Sequence, residues 1–145
     1  MKESYIVGWY CFFSEVDSKL VPEKSGKWTC FFKDQEYAIS ICRKAIEEGV
    51  CDECKCRDIS ILDLTDYNNG VICFYLNSDD IQNHKRILEF MIHNNLIRRT
   101  KTGRLYNISF KYDYQTRAGE YGDEFMPKLS LDRFVDLNTG KWIYD

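Results

Sequence analysis

The sequence predicts an α+β domain in which a mixed or antiparallel sheet carries two helices. Two stretches, Gln35 to Glu48 and Ile81 to Ile92, repeat apolar residues at helical spacing, while Val71 to Leu76 is a continuous β-branched and aromatic run bounded by turns. The 145 residues, 44% hydrophobic and 30% charged, suit a single domain over 1–145 that buries its core without staples.

In chain order, Ser4 to Phe13 reads as a first strand, with Gly8 marking a bulge or a close approach. A polar loop with Pro22 follows, then Gly26 to Phe32 resumes a strand that pairs with the first as a hairpin. Asp34 is placed to cap the first helix, whose face is Ala38, Ile41, Cys42, Ala45 and Ile46, and Gly49 ends it. Cys54 to Ile59 is a weaker strand interrupted by charge, and Asn68-Asn69-Gly70 is a turn signal. Val71 to Leu76 is the central strand. The second helix presents Ile81, His84, Ile87, Leu88, Met91 and Ile92, with Asp79 and Asp80 at its positive end and Asn94-Asn95 stopping it. Leu96 to Lys111 reads as two strands joined at Thr100 to Gly103, and the chain closes on a hairpin through Asn138-Thr139-Gly140.

A formal charge of -3 argues against a general nucleic-acid binder, although it permits local basic patches. No apolar run reaches membrane-spanning length and the start lacks a hydrophobic signal region, so a cytoplasmic protein without a membrane partner is expected. The seven cysteines are odd in number and mostly sit inside apolar patterns, which predicts reduced thiols.

Several groupings bear chemistry. Phe110 to Tyr121 crowds aromatic, charged and hydroxyl side chains into a dozen residues, and Tyr112, Tyr114 and Tyr121 are its candidates for touching a ligand. Cys51, Cys54 and Cys56 offer three thiolates, but no fourth ligand lies nearby, and neither metal nor cofactor is expected. Of the tryptophans Trp9, Trp28 and Trp142, which can include a stacking platform, Trp28 is assigned to the core. Arg98, Arg99, Lys101 and Arg104 form the one basic cluster, a solvated hairpin tip or a grip for an acidic partner.

An ordered series of short matches runs through the chain: Ser25-Gly26-Lys27-Trp28, the helix end Glu48-Gly49 with Lys55 six residues on, Val71-Ile72-Cys73 with Tyr75, and Asp79 or Asp80 opening the next helix. Lys111, Asp113, Thr116, Gly119 and Tyr121 complete it. In this series the chain resembles the basophilic-leukemia-expressed protein family, a phosphothreonine-lyase-like domain. It departs from the family at Arg98 to Arg104, which looks like an insertion. The resemblance implies a fold similar to the cap-binding translation initiation factor: a single curved, mostly antiparallel sheet backed by two main helices, with ligand on the concave side. It also implies that Lys55 meets phosphate and that Cys51, Cys54 and Cys56 occupy apolar positions. Arg117, where this chain differs from the family, is expected to tune specificity.

The leading expectation is a non-catalytic module that binds a phosphorylated, nucleotide-like ligand through Lys27, Lys55, Lys111, Asp113, Thr116, Arg117 and Tyr121. One alternative is a protein-interaction or inhibitor module, of mobile-element or anti-defence origin, that uses the basic hairpin 98–104. Another is a phosphothreonine-lyase-like enzyme with Lys55 or Lys27 as base. That chemistry also needs a histidine acid shortly after a strand lysine, but Thr29 stands two residues beyond Lys27, and His84 and His93 both fall in the second helix.

Overall fold

The computed structural model describes residues 1–62, 70–113 and 128–144. Its strands are β1 (Lys2–Ile6), β2 (Trp9–Phe13), β3 (Ser25–Phe32), β4 (Glu53–Arg57), β5 (Gly70–Asn77) and β6 (Lys111–Tyr112). They form one sheet in the order β1-β2-β4-β5-β3-β6, and every pairing between them is antiparallel. Helices α1 (Gln35–Glu47) and α2 (Ile81–His93) complete the α+β architecture expected from the periodicity.

The register divides the sheet into two faces, because directly opposed residues in an antiparallel pair project to the same side. Phe12, Cys54, Phe74 and Trp28 form one row across four strands, and all four are buried under the helices. The adjoining row, Cys11, Lys55, Cys73 and Thr29, projects from the opposite face.

Asp34 caps α1 by accepting from the Tyr37 amide at 3.2 Å, and Asp80 caps α2 by accepting from the Asn83 amide at 3.1 Å. Gly49 ends the first helical segment at φ 70, a left-handed conformation that costs glycine little. The apolar face of α1 is buried as its periodicity predicted, and on α2 the buried set includes His84, Ile87, Leu88 and Met91.

Three expectations are corrected. Ser4 to Phe13 is not one strand: the chain turns at Val7 and Gly8, whose φ values are 44 and 85, and β1 folds back on β2. Uninterrupted β-forming residues on both sides concealed this turn. Gly26–Phe32 does not pair with the first strand either, because β4 and β5 lie between β2 and β3. Finally, the two strands expected over Leu96 to Lys111 reduce to an isolated bridge, Arg99 to Leu105, and the short β6. The turn signal at Asn68-Asn69 lies outside the described residues.

At the centre of the core the fully buried Trp28 donates from Nε1 to His84 Nδ1 at 3.0 Å. With Nδ1 accepting, the imidazole proton resides on Nε2, which donates to the Ser78 carbonyl at 2.8 Å. Phe134 stacks on the imidazole at 4.7 Å between centroids, and Phe110 meets it edge-on. Burial pushes the His84 pKa below its ordinary value of 6.5, against weaker opposing effects of the Ser78 carbonyl, Asp80 and Asp79.

The unfolded chain therefore takes up a proton on this histidine before the folded chain does. The resulting stability is complete above about pH 6.5 and is lost as pH falls through the lowered folded value. Urea unfolding between pH 7 and pH 5 will show this loss, and His84→Phe will remove that part of the pH dependence. The same variant leaves Trp28 Nε1 without its acceptor and should cost about 1–3 kcal/mol at pH 7.

Candidate ligand-binding face

Strand β4 alternates charge with cysteine, and the two sets serve opposite faces. Cys54 and Cys56 are fully buried on the helix side, where Cys54 Sγ donates to the Cys42 carbonyl of α1 at 3.5 Å. Glu53, Lys55 and Arg57 project from the other side. The Cys-x-x-Cys-x-Cys run is thus split by the pleat. All seven cysteines are free and buried, and among the described residues no group of three or more ligating side chains is arranged for a metal. Hydrogen-bonding contact with Cys42 and Cys51, together with burial, disfavours a thiolate at Cys54.

On the face opposite α1 and α2, Lys55 Nζ lies 4.1 Å from the centre of the Trp9 ring and 5.6 Å from that of Tyr75. Arg57 approaches the same Trp9 ring at 5.2 Å, and Lys27 Nζ lies 5.7 Å from Tyr75. Lysines from the two strands flanking β5 thus converge on one tyrosine. Trp9, Lys55, Arg57, Tyr75, Glu53 and Phe13 help line an open cavity of about 570 Å³.

The β1–β2 turn at its rim is fixed by the Asp58 amide donating to the Gly8 carbonyl at 2.9 Å. Asp58 also accepts from the Tyr5 hydroxyl at 2.6 Å and from the Ser60 hydroxyl and amide. A Cβ on Gly8 would lie 2.6 Å from Ile61 and 3.0 Å from the Arg57 guanidinium, so the missing side chain lets the turn close over β4.

The lysines differ in their partners. Lys27 pairs with Asp113 at 3.3 Å, and Asp113 also accepts from Ser25 at 3.2 Å. Lys55 and Arg57 form no ion pair among the described residues. Lys111 stands directly across from Lys27 on β6 and is exposed. Thr116, Arg117 and Tyr121 lie outside the described residues, as does Tyr114. Tyr112, expected at the ligand, is instead buried on the helix side, where it meets Phe110 edge-on. Trp9 was among the tryptophans named for a stacking platform, whereas Arg57, Tyr75 and the exposed Phe31 were not singled out as ligand residues from the sequence. The alternation of β4 contained the signal for Arg57, but the others required the register.

Burial raises the Cys73 pKa, with Lys27 and Lys55 opposing, and burial together with the nearby Cys73 raises that of Tyr75. Burial also raises the Glu53 pKa, which Lys55 partly offsets. At neutral pH the floor of this face is therefore a neutral thiol and a neutral phenol beneath lysine and arginine side chains. That arrangement suits anion binding rather than nucleophilic attack. Both histidines of the chain lie on α2, and His84 is locked in the core, so it supplies no acid to the lysine face.

The basic hairpin lies elsewhere, where the Leu105 amide donates to the Leu137 carbonyl at 2.9 Å. Thr100 organises it: its amide donates to the Arg104 carbonyl, its carbonyl accepts from the Gly103 amide, and its hydroxyl accepts from the Arg104 amide. Neither a protein-family model nor a curated protein matches the chain.

The burial of the thiols has a direct consequence for reactivity. An aromatic disulfide reagent at pH 7.5 should label far fewer than the seven cysteines of the folded protein within minutes, and all seven in denaturant. Fewer than seven after denaturation would contradict the free-thiol assignment.

Proposed function

We propose that this chain is a binding module for a phosphorylated, nucleotide-like ligand held on the face of the sheet opposite α1 and α2. The observation that carries this reading is Lys55: a cation without an ion-pair partner among the described residues, positioned against Trp9 and Tyr75 in a cavity of about 570 Å³. A compact ammonium between aromatic rings offers charge to a phosphate while the rings offer stacking area to a base. Lys27, tied to Asp113, supports the site from the neighbouring strand, with Lys111 beside it.

The resemblance to the cap-binding initiation-factor fold agrees with this reading, since it puts a phosphate contact at Lys55. Thermal shift with nucleotides, cyclic oligonucleotides and cap analogues tests it, because a ligand that binds only the folded state raises the melting temperature. Absence of a shift with all of them would overturn it. Lys55→Met should weaken a ligand found this way about 10- to 150-fold, the equivalent of one charge-assisted contact, while leaving the ligand-free melting temperature nearly unchanged.

A second reading, a protein-interaction module, is favoured by the hairpin. Its turn is pre-ordered around Thr100, and none of Arg98, Arg99, Lys101 and Arg104 forms an ion pair among the described residues. An acidic partner held there should dissociate as salt rises and be lost when all four are changed to Ala. A partner that survives the fourfold change does not use this surface.

A further inference from the structure

The cations of the face opposite α1 and α2 do not surround a point. They form a diagonal row across the sheet, which follows from the register. Lys111 opposes Lys27, Lys27 opposes Tyr75, Lys55 opposes Cys73 two residues along β5, and Arg57 lies two residues further along β4. From β6 to β4 the row crosses three inter-strand spacings, about 14 Å, and runs about 13 Å along the strands, so its backbone positions span about 20 Å.

Aromatic rings accompany the row. Tyr75 sits between Lys27 and Lys55, and Trp9 carries Lys55 and Arg57. Phe31, opposite Val71 on β3 at the level of Arg57, leaves 63% of its surface exposed. Beyond Lys27, β3 has no pairing with β6, and among the described residues Phe31 borders an unpaired edge of the sheet.

A mononucleotide bears its charge at one end and is shorter than this row, so it leaves most of these groups unused. Alternating cations and rings along a diagonal match a chain whose phosphates and bases alternate. Asp113 neutralises Lys27, which leaves Lys111, Lys55 and Arg57 as three separated positive positions. The net negative charge of the chain does not oppose this, because contacts to a short strand depend on the local potential.

We propose that the ligand of this face is a single-stranded oligonucleotide of several residues, with phosphates tracking from Lys111 to Arg57 and bases stacking on Trp9 and Phe31. This inference rests on the phosphorylated-ligand reading above and specifies its ligand as a polymer. The shared chemistry is the phosphodiester strand, whether ribose or deoxyribose.

The test is fluorescence anisotropy of the full chain, with labelled oligouridylates and oligothymidylates of two, four and six residues and the mononucleotides as unlabelled competitors. The expected result is at least a tenfold gain in affinity from one residue to four, for the ribose series, the deoxyribose series or both. Three strand contacts predict that the logarithm of affinity falls against the logarithm of salt with a slope of about 2. Phe31→Ser and Lys111→Ala change exposed side chains and should preserve the far-UV circular dichroism. Phe31→Ser should weaken the four-residue strand by about 5- to 150-fold, the effect of one lost stacking contact, and leave mononucleotide binding unaltered. A mononucleotide that binds as tightly as the four-residue strand would overturn the polymer while preserving the phosphorylated-ligand reading. Full four-residue affinity in both variants would overturn the diagonal track, and no binding by any probe of either size would overturn both proposals.

Discussion

The register of β3 is the constraint on which the candidate face depends, and the hydrogen bond from Trp28 to His84 helps fix it. Shifting a strand by one residue would exchange its two faces, carrying Lys27 and Thr29 into the core and Trp28 onto the surface. Trp28 opposes such a shift twice. Its indole fills the centre of the core, and its N–H has an acceptor only where α2 presents His84. The histidine is in turn oriented by the Ser78 carbonyl, in the segment joining β5 to α2. One chain of hydrogen bonds therefore connects β3, α2 and the end of β5, and the side chains opposite inherit their positions from it. Buried polar groups of this kind are expensive to leave unpaired, which makes them effective at selecting one register among several.

The helices and the central strand were legible because their information is local. Asp34, Asp80 and Gly49 act at the positions where the sequence places them, and Ala38, Ile41, Cys42, Ala45 and Ile46 fall on one face by spacing alone. The Val7–Gly8 turn was not legible, since strand-forming residues continue on both sides and a β-branched residue rarely adopts positive φ. The candidate face was legible only in part. Lys27 and Lys55 were identifiable, but Trp9, Arg57 and Phe31 join them through pairings between segments far apart in sequence, and no local pattern encodes which strand neighbours which.

Tyr112 shows the same limit from the other direction. Its position beside Lys111 and Asp113 made it look like part of a site, yet adjacent residues on a strand project to opposite sides. Lys111 opposes Lys27 on the exposed face, whereas Tyr112 opposes Gly26 and enters the core. Gly26 makes the close approach possible, because a Cβ there would lie 2.5 Å from the Lys111 carbonyl and from the Phe110 ring. The glycine in the Ser25-Gly26-Lys27-Trp28 series therefore has a packing role, while its neighbour Lys27 has an electrostatic one.

A chain of net charge -3 can present a cationic face because many of its carboxylates are committed elsewhere. Asp34 and Asp80 accept from helix amides, Asp58 holds Ser60 and Tyr5, and Asp136 accepts from the amides of Asn138 and Thr139. Glu3 and Asp79 pair with Arg43 and Lys24, both away from the cavity. On the face opposite α1 and α2 the described carboxylates are Asp113, bound to Lys27, and Glu53, whose partial burial favours its neutral form. The formal charge thus sums groups that are separated by function: acids that terminate helices and turns, and bases on the sheet, of which Lys55 and Arg57 form no ion pair among the described residues. Lys55 and Arg57 cannot relieve their charge through the cysteines that alternate with them, because the pleat sends those thiols into the core, where hydrogen-bonding contact with Cys42 and Cys51, together with burial, disfavours a thiolate at Cys54. The aromatic ring of Trp9 is what stands against both cations, and a ring attracts a cation without cancelling its charge. Both cations therefore keep their charge at the cavity they line.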